Sequence, residues 1–247
     1  MSVEPLTDAR LARRLDRWCV SAGVDPASVP PLEAIREHFE PDPCRSGADP
    51  VQVAGWELRY GFRLPRPLRS WLLLSDGFYK NGPLIHPLTA IGPMIPFARV
   101  PDLVVQPESW FELGNPGAET VCIDLGYRWP GGDCPIFTSG DDERLSPPRL
   151  IAPSFLEWFL KLLREGGREF WHDPGFVALG DPWREHRRRA PVPPLSEGLR
   201  ALAPRLRPLM HPGADDRSIA LALGITRGDV EAIFRHLQHI PQRLNGA

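Results

Sequence analysis

Between Trp56 and Gly77 the chain reads helix, break, helix, break, and that order limits what the rest can become. Gly61 suits the left-handed residue that closes a helix. Leu64-Pro65 cannot lie inside one, because proline lacks its N–H and restricts the residue before it. Leu68, Trp71, Leu72 and Ser75 then recur at helical spacing until Asp76-Gly77 stops the run. Thirty prolines in 247 residues extend this constraint to the whole chain, so helices are expected to be short and loops plentiful.

The flanking segments divide by the same signals. Leu6, Leu11, Leu15, Trp18 and Cys19 predict an amphipathic helix over 6–21, with Thr7 or Asp8 as cap. Leu32, Ile35, His38 and Phe39 predict another over 31–39, followed by a linker-like Pro41–Pro50. The two-helix motif occupies roughly 51–75. From 78 to 150 short apolar segments alternate with Pro and Gly: Leu84-Ile85, Met94–Phe97, Leu103–Val105, Thr120–Leu125 and Cys134–Phe137. They predict strands of a mostly antiparallel sheet. Ser154 and Glu157 suit a capping box for a helix over 153–165, with Phe155, Trp158, Phe159 and Leu162 on one face. Residues 166–195 read as a Pro/Gly/Arg-rich connector, with 190–195 as linker and the run Arg184–Arg189 as solvated surface. Residues 196–240 turn helical again, with breaks at Pro204, Pro212-Gly213 and Gly224.

The sheet-bearing stretch carries a family pattern. Glu57, Gly61, Leu64-Pro65, Leu68-Arg69, Trp71-Leu72 and Asp76-Gly77 occur in the order of the SUKH superfamily, which includes fungal Smi/Knr-type cell-wall regulators and bacterial toxin-immunity proteins. The strand Thr120–Leu125 ending near Asp124 and the entry Ile151-Ala152-Pro153-Ser154-Phe155 also resemble that family. Leu68 stands where the family has tyrosine, and Trp71 where it has phenylalanine. The resemblance covers about 51–165 and implies an α+β fold, a mostly antiparallel sheet flanked by helices that presents a face or cleft to a partner. It further implies a binding module with no catalytic residues, metal or cofactor.

A second pattern lies at the C-terminal end. Ala220, Gly224, Val230 and Ile233, with Ile219, Leu223 and Ile225, have the spacing of two helices packed across a tight turn. Thr226 and Asp229 suit a capping box. The segment resembles the helix-turn-helix of LuxR-type regulators. The expected organisation is a helical extension over 1–50, a SUKH-like domain over 51–165, the connector over 166–195 and a small all-α unit over 196–247.

Charge separates the function classes. The net charge of −2 argues against a nucleic-acid binder as a whole. Residues 181–247 nevertheless hold 11 arginines against seven acids, leaving residues 1–180 at net −6. Cys19, Cys44, Cys122 and Cys134 form no C-x-x-C pair, so neither a zinc site nor a disulfide framework is expected. His236 and His239 stand i,i+3 without a third ligand. Trp171-His172-Asp173 lacks a nucleophile motif and reads as a structured turn. With no signal peptide or membrane-spanning run, the expected location is cytoplasmic. The leading expectation is a bacterial, immunity-type or regulatory protein that binds another protein, a basic toxin domain for example, through Asp124, Asp141, Asp142 and Glu143. The alternative is a transcriptional regulator that reads DNA with Arg227 and Arg235.

Overall fold

A computed structural model describes residues 8–30, 46–80, 82–94, 106–117, 119–129, 133–140, 147–191, 195–209 and 216–239. The expected helix over 31–39 and the apolar segment Leu103–Val105 lie outside them. The fold is α+β, with eight α-helices and two antiparallel sheets among the described residues.

The helix pair forms where its punctuation demands. Helix α1 spans Asp8–Ala22, α2 spans Pro50–Tyr60 and α3 spans Arg66–Leu74. Asp49 caps α2 by accepting the Val51 N–H at 2.7 Å, and Gln52 returns a bond to the Asp49 N–H. Gly61 closes α2 at φ +74°. The buried Glu57 carboxylate accepts the Leu64 N–H at 3.0 Å and pairs with Arg63 at 3.3 Å, so it bridges the break before α3. Helix α1 is part of the main core, not an appendage. Trp18 is fully buried against Trp71, and its indole N–H donates to the Pro67 carbonyl at 2.9 Å.

A short hairpin, β1 (Phe78–Tyr79) and β2 (Pro83–Ile85), precedes a four-stranded meander. Its strands, in spatial order, are β3 (Trp110–Gly114), β4 (Val121–Asp124), β5 (Ile136–Thr138) and β6 (Arg149–Ala152). Every pairing in it is antiparallel. Both edges are covered, which protects backbone groups that would otherwise template aggregation. Beside β3, the His86 N–H donates to the Leu113 carbonyl and the Asn115 N–H to that of Pro83. Beside β6, Leu150 exchanges bonds with Leu179 and Gly180.

The period-two alternation of the strands splits their side chains between two cores. Phe111, Leu113, Val121, Ile123, Ile136 and Ile151 join the larger one, with α1–α3 and α4 (Phe155–Arg164). Ser154 caps α4 by accepting the Glu157 N–H at 3.1 Å. Trp71 and Phe155 are both fully buried, each against Phe159, at 4.7 and 5.4 Å between ring centroids.

Trp110, Cys122, Phe137 and Leu150 point the other way, into a core completed by the C-terminal third of the chain. That third supplies α5 (Pro182–Arg189), α6 (Glu197–Leu206), α7 (Asp216–Leu223) and α8 (Arg227–His239). Three expectations change here. The connector is structured: Phe170, Trp171, Trp183 and His186 are buried, and the arginine run is helix α5, begun by Asp181, which accepts the Arg184 N–H at 2.8 Å. The 196–247 unit does not stand apart, because Leu206, Ile219, Val230 and Ile233 share one core with the sheet. Helix α6 runs through Pro204 instead of breaking there. The four-stranded sheet is consequently covered on both faces, and neither is open to a partner as the family resemblance implied.

Candidate functional site

Among the described residues, the densest buried polar cluster joins the sheet to the C-terminal helices. Asp124 ends β4 on the face toward those helices, and only 1% of it is exposed. A buried carboxylate must be compensated by donors or an opposite charge. Here it has both. Asp124 Oδ1 accepts from Ser109 Oγ at 2.7 Å and from the Gly126 N–H at 2.8 Å. Oδ2 accepts from Trp110 Nε1 at 2.9 Å and from His186 Nδ1 at 2.6 Å. Gly126 is required there: a Cβ would lie 2.6 Å from Ser109 Oγ and 2.9 Å from His186 Cε1.

His186 comes from the middle of α5, also 1% exposed. Its second ring nitrogen, Nε2, donates to Glu231 Oε1 of α8 at 3.2 Å. Trp183, one turn earlier, stacks on its ring at an interplanar angle of 7°, and Phe234 of α8 stacks on Trp183. Burial alone would lower the histidine's affinity for a proton. The charge and hydrogen bond of Asp124 and the bond to Glu231 outweigh it, and the pKa rises from 6.5 to about 9. For Asp124, burial is likewise outweighed by the imidazolium and by the bonds from Ser109 and Gly126, so its carboxyl lies below the ordinary range.

The cluster extends to the start of α8. Glu231 Oε2 accepts the Glu108 N–H at 2.9 Å. The Glu108 carboxylate in turn sits over the first turn of α8, where a Cβ on Gly228 would lie 2.4 Å from Glu108 Oε2. Burial and the nearby Glu231 raise the Glu108 carboxyl above its usual range.

In this arrangement the charges and donors are matched to one another. Both imidazole nitrogens donate to carboxylates, so His186 has no lone pair to take a proton. Ser109 is bonded to the acid rather than to the histidine, unlike a nucleophile beside its base. Among the described residues, no group of three or more His, Cys, Asp or Glu is placed to hold a metal, and no helix is long and apolar enough to cross a membrane.

The residues expected from the sequence fall differently. Asp124 was expected at a partner surface; all four of its donors are internal, so its side chain is not there. Asp141, Asp142 and Glu143 lie outside the described residues. Arg227 Nη2 pairs with the buried Asp216 at 2.8 Å and so ties α8 to α7. Arg235 belongs to α8, but its side chain is outside the description, as is that of His239. Trp171 and His172 end a short 3₁₀ turn, Phe170–His172, that Asp173 caps, with His172 between Glu169 at 3.0 Å and Arg149 at 3.3 Å. Sequence reasoning missed Ser109, Trp110, His186, Glu231 and Glu108. Its one available hint was Trp183 and His186 at i,i+3 behind the helix start Asp181-Pro182.

No protein-family model matches this sequence, and no curated protein is significantly similar to it.

Proposed function

We propose that the chain is a non-enzymatic protein-binding module of the immunity or regulatory-scaffold kind, as its SUKH-like pattern implies, and not a DNA-binding regulator. One observation carries the choice. A recognition helix reads DNA from its N-terminal residues, and in α8 those residues are already engaged. Arg227 is tied to Asp216, the Glu108 carboxylate lies against Gly228, and Glu231 is turned inward to His186. A carboxylate occupies the helix terminus where a phosphate would otherwise be favoured, and its charge repels a polyanion.

The acidic balance of residues 1–180 favours a basic partner, because complementary potential raises association rates and discourages wrong partners. With both sheet faces covered, helix surfaces and connecting segments are left for contact, and the acidic stretch Asp141-Asp142-Glu143 is the proposed contact. The test is a titration with duplex DNA at about 50 and 200 mM salt, where neutralised phosphates give a steep salt dependence. The proposal expects no binding at either concentration. Tight, salt-dependent binding that is lost in Arg227→Ala overturns it in favour of the regulator. For the positive arm, the product of any toxin-like neighbouring gene is titrated against the wild type and an Asp141/Asp142/Glu143→Lys variant. Weaker, less salt-sensitive binding by the variant is expected.

A further inference from the structure

Helix α2 has a second face that nothing among the described residues covers. Val53, Trp56 and Glu57 face inward, and the Trp56 indole donates to the Ile91 carbonyl at 2.8 Å. Outward, Val51 is 77% and Leu58 86% exposed, and the exposed Ala54 and Gly55 lie between them. Positions 51, 54, 55 and 58 form one stripe at helical spacing. The other large exposed apolar side chains among the described residues are on α1, on α7 and in the 177–179 segment, so among the described helices only α2 presents two on one face. Gly55 adds a second anomaly. A glycine in a helix interior is destabilising relative to alanine, and a Cβ here would meet nothing within 4 Å. No internal packing requires it, whereas a helix crossing from outside would gain closer approach.

The stripe is self-complementary. We propose that α2 packs antiparallel against α2 of a second copy of this chain, about a two-fold axis at Ala54/Gly55. That register sets Val51 of each copy against Leu58 of the other, as an isologous contact requires. It also brings the exposed Arg59 of each copy beside the exposed N-cap Asp49 of the other. The Arg59 guanidinium already lies 5.2 Å from the Tyr60 ring centroid, toward the end of α2 where that aspartate arrives. Opposite charges at both ends favour this second copy over a partner of one sign. An 11-residue helix face is smaller than the roughly 800 Å² per partner of a standard interface, so the dimer is weak and concentration-dependent.

Sedimentation equilibrium of the full chain, from roughly 10 μM to 1 mM, tests this independently of the protein-binding reading. A reversible monomer–dimer equilibrium is expected. Leu58→Glu should abolish it at unchanged melting temperature, since the side chain is exposed. Gly55→Leu should also abolish it while the fold becomes no less stable, because leucine favours the helix and blocks only the crossing. Arg59→Glu, which sets acid against Asp49, should weaken association at least tenfold. A monomer throughout the range, open-ended oligomers, or a dimer that survives Leu58→Glu and Gly55→Leu would each overturn the proposal.

Discussion

The two faces of the meander are built by one alternating pattern and held in opposite ways. Toward α1–α4 the contact is dry and aromatic. Trp18, Trp71, Phe155 and Phe159 pack edge-on or stacked, and the Trp71 and Trp158 indole N–H groups find no acceptor among the described residues. Toward α5–α8 a tryptophan again sits on the sheet, but Trp110 gives its N–H to Asp124, and an imidazolium lies between two carboxylates. The difference follows from what each face must specify. Apolar contacts tolerate several docking angles. The Asp124–His186–Glu231 bonds admit one, because a carboxylate left buried without its partner is costly. The helices that arrive last in the chain are thereby fixed on the sheet by direction as well as by burial.

The largest expected effect removes one cover altogether. A chain ending at residue 190 keeps α5 but strips Leu206, Ile219, Val230 and Ile233 from Trp110, Cys122, Phe137 and Leu150. An independent tail, as the sequence suggests, would leave a folded remainder. The shared core predicts instead an aggregating or dye-binding species without a cooperative melt, checked by calorimetry and dye fluorescence. A sharp melt in the truncated chain would show that the two faces are separable. Next comes the dry face: Trp71→Ala should cost about 3–5 kcal/mol, as large-to-small core changes do. Trp71→Phe should cost much less than that, since the indole N–H has no acceptor among the described residues to lose. Denaturant titrations of both variants check this.

The polar face differs by its pH dependence. The folded pKa of His186 is raised from 6.5 to about 9. Its contribution is therefore complete below the unfolded value and is lost as pH rises through the folded one. The shift corresponds to about 3 kcal/mol, gone by pH ~9. Unfolding free energies at these two pH values should show that loss in the wild type and in Trp71→Phe. The histidine-linked loss should be absent in His186→Gln, which is already weaker at the lower pH. An equal slope in His186→Gln would assign the dependence to another group.

How far each face was legible follows from the same contrast. The dry face is built of helices whose stops and caps are local. Gly61, Pro65, Gly77 and Ser154 announce α2, α3 and α4 within a few residues of where they act. Strand β4 was legible as an apolar run, but β3 was not. Trp110–Gly114 is buried on both sides and shows no clear alternation, and β6 ran straight into the entry of α4. Beyond the i,i+3 pair Trp183 and His186, the polar cluster had no local signature. Ser109 and Asp124 are 15 residues apart, Asp124 and His186 62, and His186 and Glu231 45. His186 also lies among arginines, whose charge suggests solvent, although the turn that carries Trp183 and His186 faces inward.

The smallest effect probes how a legible local device serves the less legible face. Thr226 Oγ1 accepts the Asp229 N–H at 3.1 Å, and Asp229 Oδ2 accepts the Thr226 N–H at 3.0 Å, a reciprocal cap at the start of α8. Both groups are at the surface, so their loss leaves no buried charge. Thr226→Ala should cost about 1 kcal/mol, the usual value of an N-cap. Because Val230 and Ile233 just beyond it are fully buried in the shared core, fraying of this turn is coupled to the whole fold. The loss should appear as a shifted denaturation midpoint with an unchanged slope. A reduced slope, with amides of α8 exchanging early while those of β4 stay protected, would mean that the C-terminal helices open alone. In that case the bonds of His186 fix the geometry of docking without making the two faces fold as one.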